Sequence, residues 1–371
     1  MSSARVCRWL GGALGALLGL LLLATTMLSA QAQAQALIPV ELGAQVSVPL
    51  GSEFEVLEDP AAQWQLDDIL RAELARQFRV PGSSGSNFGY SRSAFWLHAR
   101  VHLAAGAPER WLLEAANPTL EYLDVYVVTP AAGVVDAQHG AGMAKFAQRA
   151  VAHRNHVKPL QLQPGVDNEL YIRVASRLNL SVPLHLWQPD ALWQKDQLEY
   201  ALLAAYFGVL LGLTAYNLLL YSFIRDRICL SYSAFAVAMG LIQASISGFG
   251  AQYLWPELPE FNTLVLQSAR ALVSFFALLL VRDYLSTARR MPGFDRVLRV
   301  MAGVWALAFV VALVWESRMF NLLGAVFSLF SLTVVIALGI QGVRRGYPEA
   351  RYFLAAWAVM ATGTVVFALH N

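Results

Sequence analysis

Between Ala94 and Leu103 hydrophobic and polar residues alternate with a period of two. Phe95, Leu97, Ala99, Val101 and Leu103 fall on one side, and Trp96, His98, Arg100 and His102 on the other. That is the signature of a strand with one buried face. Glu121–Val128 sets Leu123, Val125 and Val127 against Tyr122, Asp124 and Tyr126. Glu169–Ser176 sets Leu170, Ile172 and Val174 against Tyr171 and Arg173, and Pro183–Trp187 sets Leu184 and Leu186 against His185 and Trp187. Turn-forming Gly, Pro and Asp separate these runs at 105–108, 130–133 and 163–167. Residues 37–198 therefore predict an all-β, jelly-roll-like antiparallel sandwich. One helix is expected within it at Ala61–Phe78, where Trp64, Ile69, Leu70, Leu74 and Phe78 approximate a helical stripe.

From residue 199 to 371 the pattern changes to apolar stretches of membrane-spanning length, near Tyr200–Ile224, Ile228–Gly248, Asn262–Tyr284, Val300–Trp315, Phe320–Gly342 and Tyr352–His370. The fourth is short. Backbone groups in hydrocarbon must bond within their own segment, so an α-helical transmembrane bundle is expected. Arg225, Arg227, Arg282, Arg289, Arg290, Arg296, Arg299, Arg344, Arg345 and Arg351 all follow the odd spans, whereas Arg318 is alone in the loops after spans two and four. Cationic loops stay cytoplasmic, which puts the sandwich on the opposite side. Six spans from that start leave Asn371 outside, so a seventh span is expected beyond it; a genuine six-span chain is the alternative.

Composition supports this division. Hydrophobic residues make up 57% and charged residues 14%, with a mean hydropathy of +0.48; a wholly soluble enzyme is not built this way. Residues 1–36 carry Arg5 and Arg8, an apolar run and the small residues of SAQAQAQA, the layout of a secretory signal peptide, with an uncleaved anchor as the other reading. After its removal Cys229 is the one remaining cysteine, so no intramolecular disulfide is expected.

Candidate chemistry is sparse. The non-core strand faces carry Trp96, His98, Arg100, Tyr122, Tyr126, Tyr171, Arg173 and Trp187. If those strands are neighbours, they form an aromatic and polar floor suited to stacking a small, carbohydrate-like ligand; otherwise loops or the membrane block cover them. His98 and His102 point the same way, but four strand residues apart they are too distant to share a metal, and the His153–His156 pair has no third ligand nearby. No catalytic residue, metal or cofactor is assigned, because no nucleophile, phosphate-loop or paired-carboxylate motif is recognisable. In the spans, Arg270 stands deep in the third, and Asn217, Gln243 and Gln267 are candidates for interhelical contact.

Gly89-Tyr-Ser-Arg-Ser-Ala-Phe-Trp-Leu97, Trp111–Pro118 and Leu123-Asp-Val-Tyr126 in the sandwich, with Leu213–Asn217, Gly248-Phe-Gly-Ala-Gln-Tyr-Leu-Trp-Pro256 and the Arg-rich link at Pro292, carry a resemblance over nearly all of residues 40–371. In that order and topology the chain resembles the bacterial 7TMR-DISM family, seven-transmembrane receptors with diverse intracellular signalling modules. The resemblance implies a sensor in the bacterial inner membrane, with a periplasmic sandwich that binds a carbohydrate-like or other small molecule. It also implies a relay through the bilayer-embedded bundle to a cytoplasmic signalling module, such as a diguanylate cyclase or histidine kinase, which these 371 residues lack. A homodimer is compatible with that reading, and no nucleic-acid partner is expected. A stand-alone membrane protein of transport or partner-binding type, with the sandwich as accessory domain, is the alternative; a hydrolase of envelope sugars ranks below both.

Overall fold

The computed structural model describes residues 38–358, except 52, 82–84, 130–132, 141–143, 178, 316–317 and 356–357. The expected leader and most of the sixth apolar stretch thus lie outside the described residues. The sandwich is built on β4 (Ala94–Leu103), which pairs antiparallel with β9 (Asp167–Ala175). Next to β9 come β6 (Tyr122–Thr129) and then β7 (Gly133–Gln138). The other edge of β4 is shared by β3 (Glu55–Asp59), antiparallel to its first half, and β1 (Val40–Leu42), parallel to its second. The facing sheet runs β2 (Ser47–Pro49), β10 (Leu184–Trp187), β5 (Arg110–Ala115) and β8 (His156–Gln161). Every apolar residue assigned above to the inner side of β4, β6, β9 and β10 lies in the core between the sheets.

The helix expected over Ala61–Phe78 is instead two short turns, α1 (Leu66–Ile69) and α2 (Ala72–Ala75). Ala62 adopts a left-handed φ of 53°, and Gln65 and Arg71 are extended, so the chain is re-aimed twice. This broken path lets Trp64, Leu66, Ile69, Leu74 and Phe78 spread over the outer face of the larger sheet, against Leu57, Trp96, Tyr126 and Tyr171. A straight helix would present one narrow stripe to a surface that is four strands wide.

One residue, Gln188, separates β10 from α3 (Pro189–Ile224). Its 36 residues make a rod of about 54 Å, long enough to rise from the sandwich and cross a bilayer. It is followed by α4 (Arg227–Ile246), a π-helical turn at Gly250–Leu254, α5 (Phe261–Tyr284), the short α6 (Thr287–Arg290), α7 (Pro292–Val314) and α8 (Arg318–Arg344), with residues 348–355 helical again. Five of these helices are long and apolar enough to cross a membrane. The fourth span is not short: α7 starts at Pro292, eight residues before the apolar run. Its polar first turns are accommodated because buried Asp295 accepts hydrogen bonds from Arg282 (2.7 Å) and Thr287 (3.0 Å) and pairs with Arg299 (3.0 Å). Leu202, Val209, Leu219, Leu307 and Val326 remain exposed, an arrangement that requires lipid as solvent.

Candidate functional site

Strand register brings seven of the eight sandwich candidates onto one surface. Trp96 stands opposite Arg173 and Arg173 opposite Asp124; His98 faces Tyr171 and Tyr171 faces Tyr126; Arg100 faces Glu169; Tyr122 lies further along β6. The residue left out is Trp187, which is on the other sheet. There it packs with Leu112, Val157 and Leu192, and Lys195 Nζ sits 5.4 Å from its ring centre.

The seven are not equally open. Trp96 is fully buried and Tyr126 nearly so beneath the α1–α2 segment, stacked on each other at 5.9 Å. Arg173 donates to the carbonyl of Ala62 (2.9 Å), pinning that cover to the sheet, and lies 3.6 Å from Asp124. His98 stacks on Tyr171 at 4.6 Å, with one ring nitrogen bonded to Glu169 and the other 3.7 Å from Glu55. Burial pushes the Glu169 carboxyl up, but the hydrogen bonds and charges of His98 and Arg100 outweigh it and hold the group below its usual range. Burial, together with the Glu169 charge, pushes the Tyr171 hydroxyl up to about 12. His102 is occupied by Asp167 at 2.7 Å.

Tyr122 is different: it is 46% exposed and stands in a cleft of about 480 Å³ at the end of β6 and β9. Ser91, Arg92, Ser93, Glu121 and Arg177 share this cleft, and so does Asn321 of α8. Arg177 and buried Glu121 are paired at 2.9 Å. Of the sequence candidates, Tyr122 alone lines it; its polar partners come from loops, where alternation carries no signal, and from Asn321 of a spanning helix.

A second polar cluster joins the sandwich to the bundle. In the loop before β8, the backbone N–H of Asn155 donates to His153 Nδ1 (3.0 Å), which leaves the hydrogen on Nε2 to be donated to Asp196 of α3 (2.6 Å). Arg154 pairs with Glu199 of α3 and donates to the carbonyl of Ser247 at the end of α4 (3.2 Å). Lys195 of α3 reaches both oxygens of buried Glu114 on β5 at 2.8 and 2.9 Å. Phe146 N–H donates to the carbonyl of Pro256 (3.0 Å), and Tyr200 donates to Gln252 in the π-helical turn (2.8 Å). His156, next to this loop, is fully buried; burial, reinforced by the charges of Arg149 and Lys158, lowers its pKa to about 3. The sequence reading said of the His153–His156 pair only that no third metal ligand is near; both are buried, and His153 bridges to the first spanning helix.

Within the spans, Asn217 bonds back to the carbonyl of Leu213 in its own helix (2.9 Å). Half-buried Gln243 stands on α4. Arg270 donates to Asn321 on α8 (2.9 Å), while Gln267 is buried beside it.

A β-sandwich fused with a one-residue link to a bundle of apolar helices, and clamped to their outer ends, defines a multi-pass membrane protein of receptor type with an extracellular domain. Two family models match in the same order: 7TMR-DISM extracellular 2 over residues 51–188, and the 7TM domain of the receptors with diverse intracellular signalling over residues 199–371. The chain belongs to the 7TMR-DISM family, and both matched domains are sensory. A comparison with curated proteins finds no match.

Proposed function

We propose that this chain is the sensing and membrane-crossing part of a bacterial inner-membrane receptor. Its periplasmic sandwich binds a small carbohydrate-like molecule and passes the event through the bundle to a cytoplasmic output module outside these residues. The observation that carries this reading is the cleft at Tyr122, because Asn321 of a spanning helix helps to line a cavity that is otherwise made by the sandwich. A ligand there touches both bodies, so its affinity depends on how they are arranged, which is the condition for it to shift that arrangement. The exposed ring of Tyr122 offers a stacking face, and Ser91, Ser93, Glu121 and Arg177 offer the hydrogen-bonding groups that a polyol needs. Trp96, Tyr126 and Tyr171 serve as the rigid floor under the α1–α2 cover. The test is thermal stabilisation of the full chain in nanodiscs by a panel of mono- and oligosaccharides. A sugar that stabilises the wild type should lose at least tenfold in affinity in Tyr122→Ala and in Asn321→Leu. Stabilisation unchanged by both substitutions would remove the cleft as the site.

A further inference from the structure

A groove of about 610 Å³ opens sideways into the bilayer between α5, α7 and α8. Its floor includes Ala271, Trp305, Ala308 and Gly324, and exposed Leu307 and Val326 form its lips. Polar atoms are nearly absent from this lining except at the outer end, where Gln267 and Arg270 enter. Gln267 is 3% exposed, yet among the described residues its Nε2 has no hydrogen-bond partner. The one hydrogen bond described for the Arg270 side chain is to Asn321, and among the described residues no carboxylate pairs with it. Gly324 lies against the guanidinium, and a Cβ there would meet one of its nitrogens at 3.4 Å, an ordinary van der Waals contact.

A cation and a free amide donor in hydrocarbon are costly unless something accepts from them. Water satisfies such groups only where several polar partners surround it, and the remaining walls of the groove are hydrocarbon. An anion whose other end is apolar meets both conditions. Asn321, which accepts from Arg270, lies three residues into α8, about 4.5 Å from the outer end of that helix, so the charged end of the groove is the end nearer the outer surface. The groove then follows α8 from Phe320 to Phe330, about 15 Å, in the direction an acyl chain takes.

We propose that this groove is a site for an anionic amphiphile drawn from the outer leaflet, with its carboxylate or phosphate on Arg270 and Gln267 and its acyl chain between α7 and α8. The inference needs only the bundle and stands whether or not the sandwich binds a sugar. Native mass spectrometry and thermal melts of the detergent-solubilised full chain test it, with oleate and dioleoylphosphatidylglycerol as anionic probes and oleyl alcohol and dioleoylphosphatidylcholine as controls. At least one anionic probe should remain bound and raise the melting temperature, and the controls should bind at least tenfold more weakly. Retention of oleate alone assigns a carboxylate head, and retention of the phospholipid alone a phosphate head. Arg270→Gln should abolish this preference and Arg270→Lys should keep part of it. Leu307→Trp, at a lipid-facing lip where folding is not at risk, should block the chain and weaken anionic and neutral probes alike. Equal retention of anionic and neutral probes, no retention of any, or full retention in Leu307→Trp would overturn the proposal.

Discussion

Gly248 is where the bundle receives the sandwich, and replacing it with alanine should separate the two. Its φ is +75°, a conformation that costs a residue with a Cβ about 1–2 kcal/mol. A Cβ would also lie 2.5 Å from the Arg154 carbonyl oxygen and 2.9 Å from Pro118 Cβ. These neighbours are backbone and a proline ring, which cannot swing aside, so overpacking adds about 1–3 kcal/mol. Together the docked arrangement should lose about 2–5 kcal/mol, enough to raise the population of undocked loop by roughly thirtyfold or more. Two controls divide the effect. Gly106 has a φ of +82° and open space around it, so Gly106→Ala carries only the conformational cost, far from the junction. Gly212, in the middle of α3 with nothing near its Cβ position, carries neither. Hydrogen exchange of the full chain in nanodiscs reads the outcome directly. Residues 149–156 should exchange at least thirtyfold faster in Gly248→Ala while the inner strand β9 keeps its protection. Exchange in that loop within threefold of wild type would refute the docking argument.

Acid should loosen the same region. The folded-state pKa of His156 is depressed to about 3 by burial and neighbouring cations, so below about pH 6.5 the unfolded chain takes up a proton that the folded one refuses. Its contribution is complete above pH 6.5 and is lost as the pH falls toward 3, at about 1.4 kcal/mol per pH unit; urea melts at pH 7 and pH 5 should show this, and His156→Gln should flatten the slope. Glu114→Gln removes the charge that Lys195 and Asn155 engage at a fully buried position, and should destabilise the sandwich by about 1–3 kcal/mol in the same melts; an unchanged midpoint counts against the clamp between β5 and α3. Trp96→Ala empties space beneath the α1–α2 segment and should cost about 3–5 kcal/mol, with ligand affinity at the Tyr122 cleft falling far less than in Tyr122→Ala. Cysteines at Ala105 and Arg289 should label with an impermeant maleimide from opposite sides of the membrane, and labelling of both in intact cells would reverse the assigned orientation.

Period-two alternation located the strands because each has one face in a common core, and Leu97, Ile172 and Val125 meet there in register. It could not say what covers the other face. Trp96 and Tyr126 read as a wet aromatic floor because the residues over them, Trp64 to Phe78, read as a straight helix with no stated place. The left-handed Ala62 and extended Arg71 that fold the segment down onto them leave no composition signal. The short fourth span has a similar origin: hydropathy discounts Asp295, Arg296 and Arg299, whereas the fold neutralises Asp295 with Arg282 of α5 and with Arg299. Position 321 was invisible for a deeper reason. One asparagine near the start of an apolar run has no local pattern, yet it lines the Tyr122 cleft and also accepts the hydrogen bond of Arg270. If a sugar-like ligand reorients Asn321, the Arg270 guanidinium loses or gains its acceptor, and its hold on an anion in the groove changes. Linkage then requires the reverse effect in equal measure, so an anionic amphiphile must alter the affinity of the cleft for its ligand by the same factor. A receptor built this way reads its ligand against the lipid composition of the leaflet it sits in, with Asn321→Leu as the substitution that severs the two.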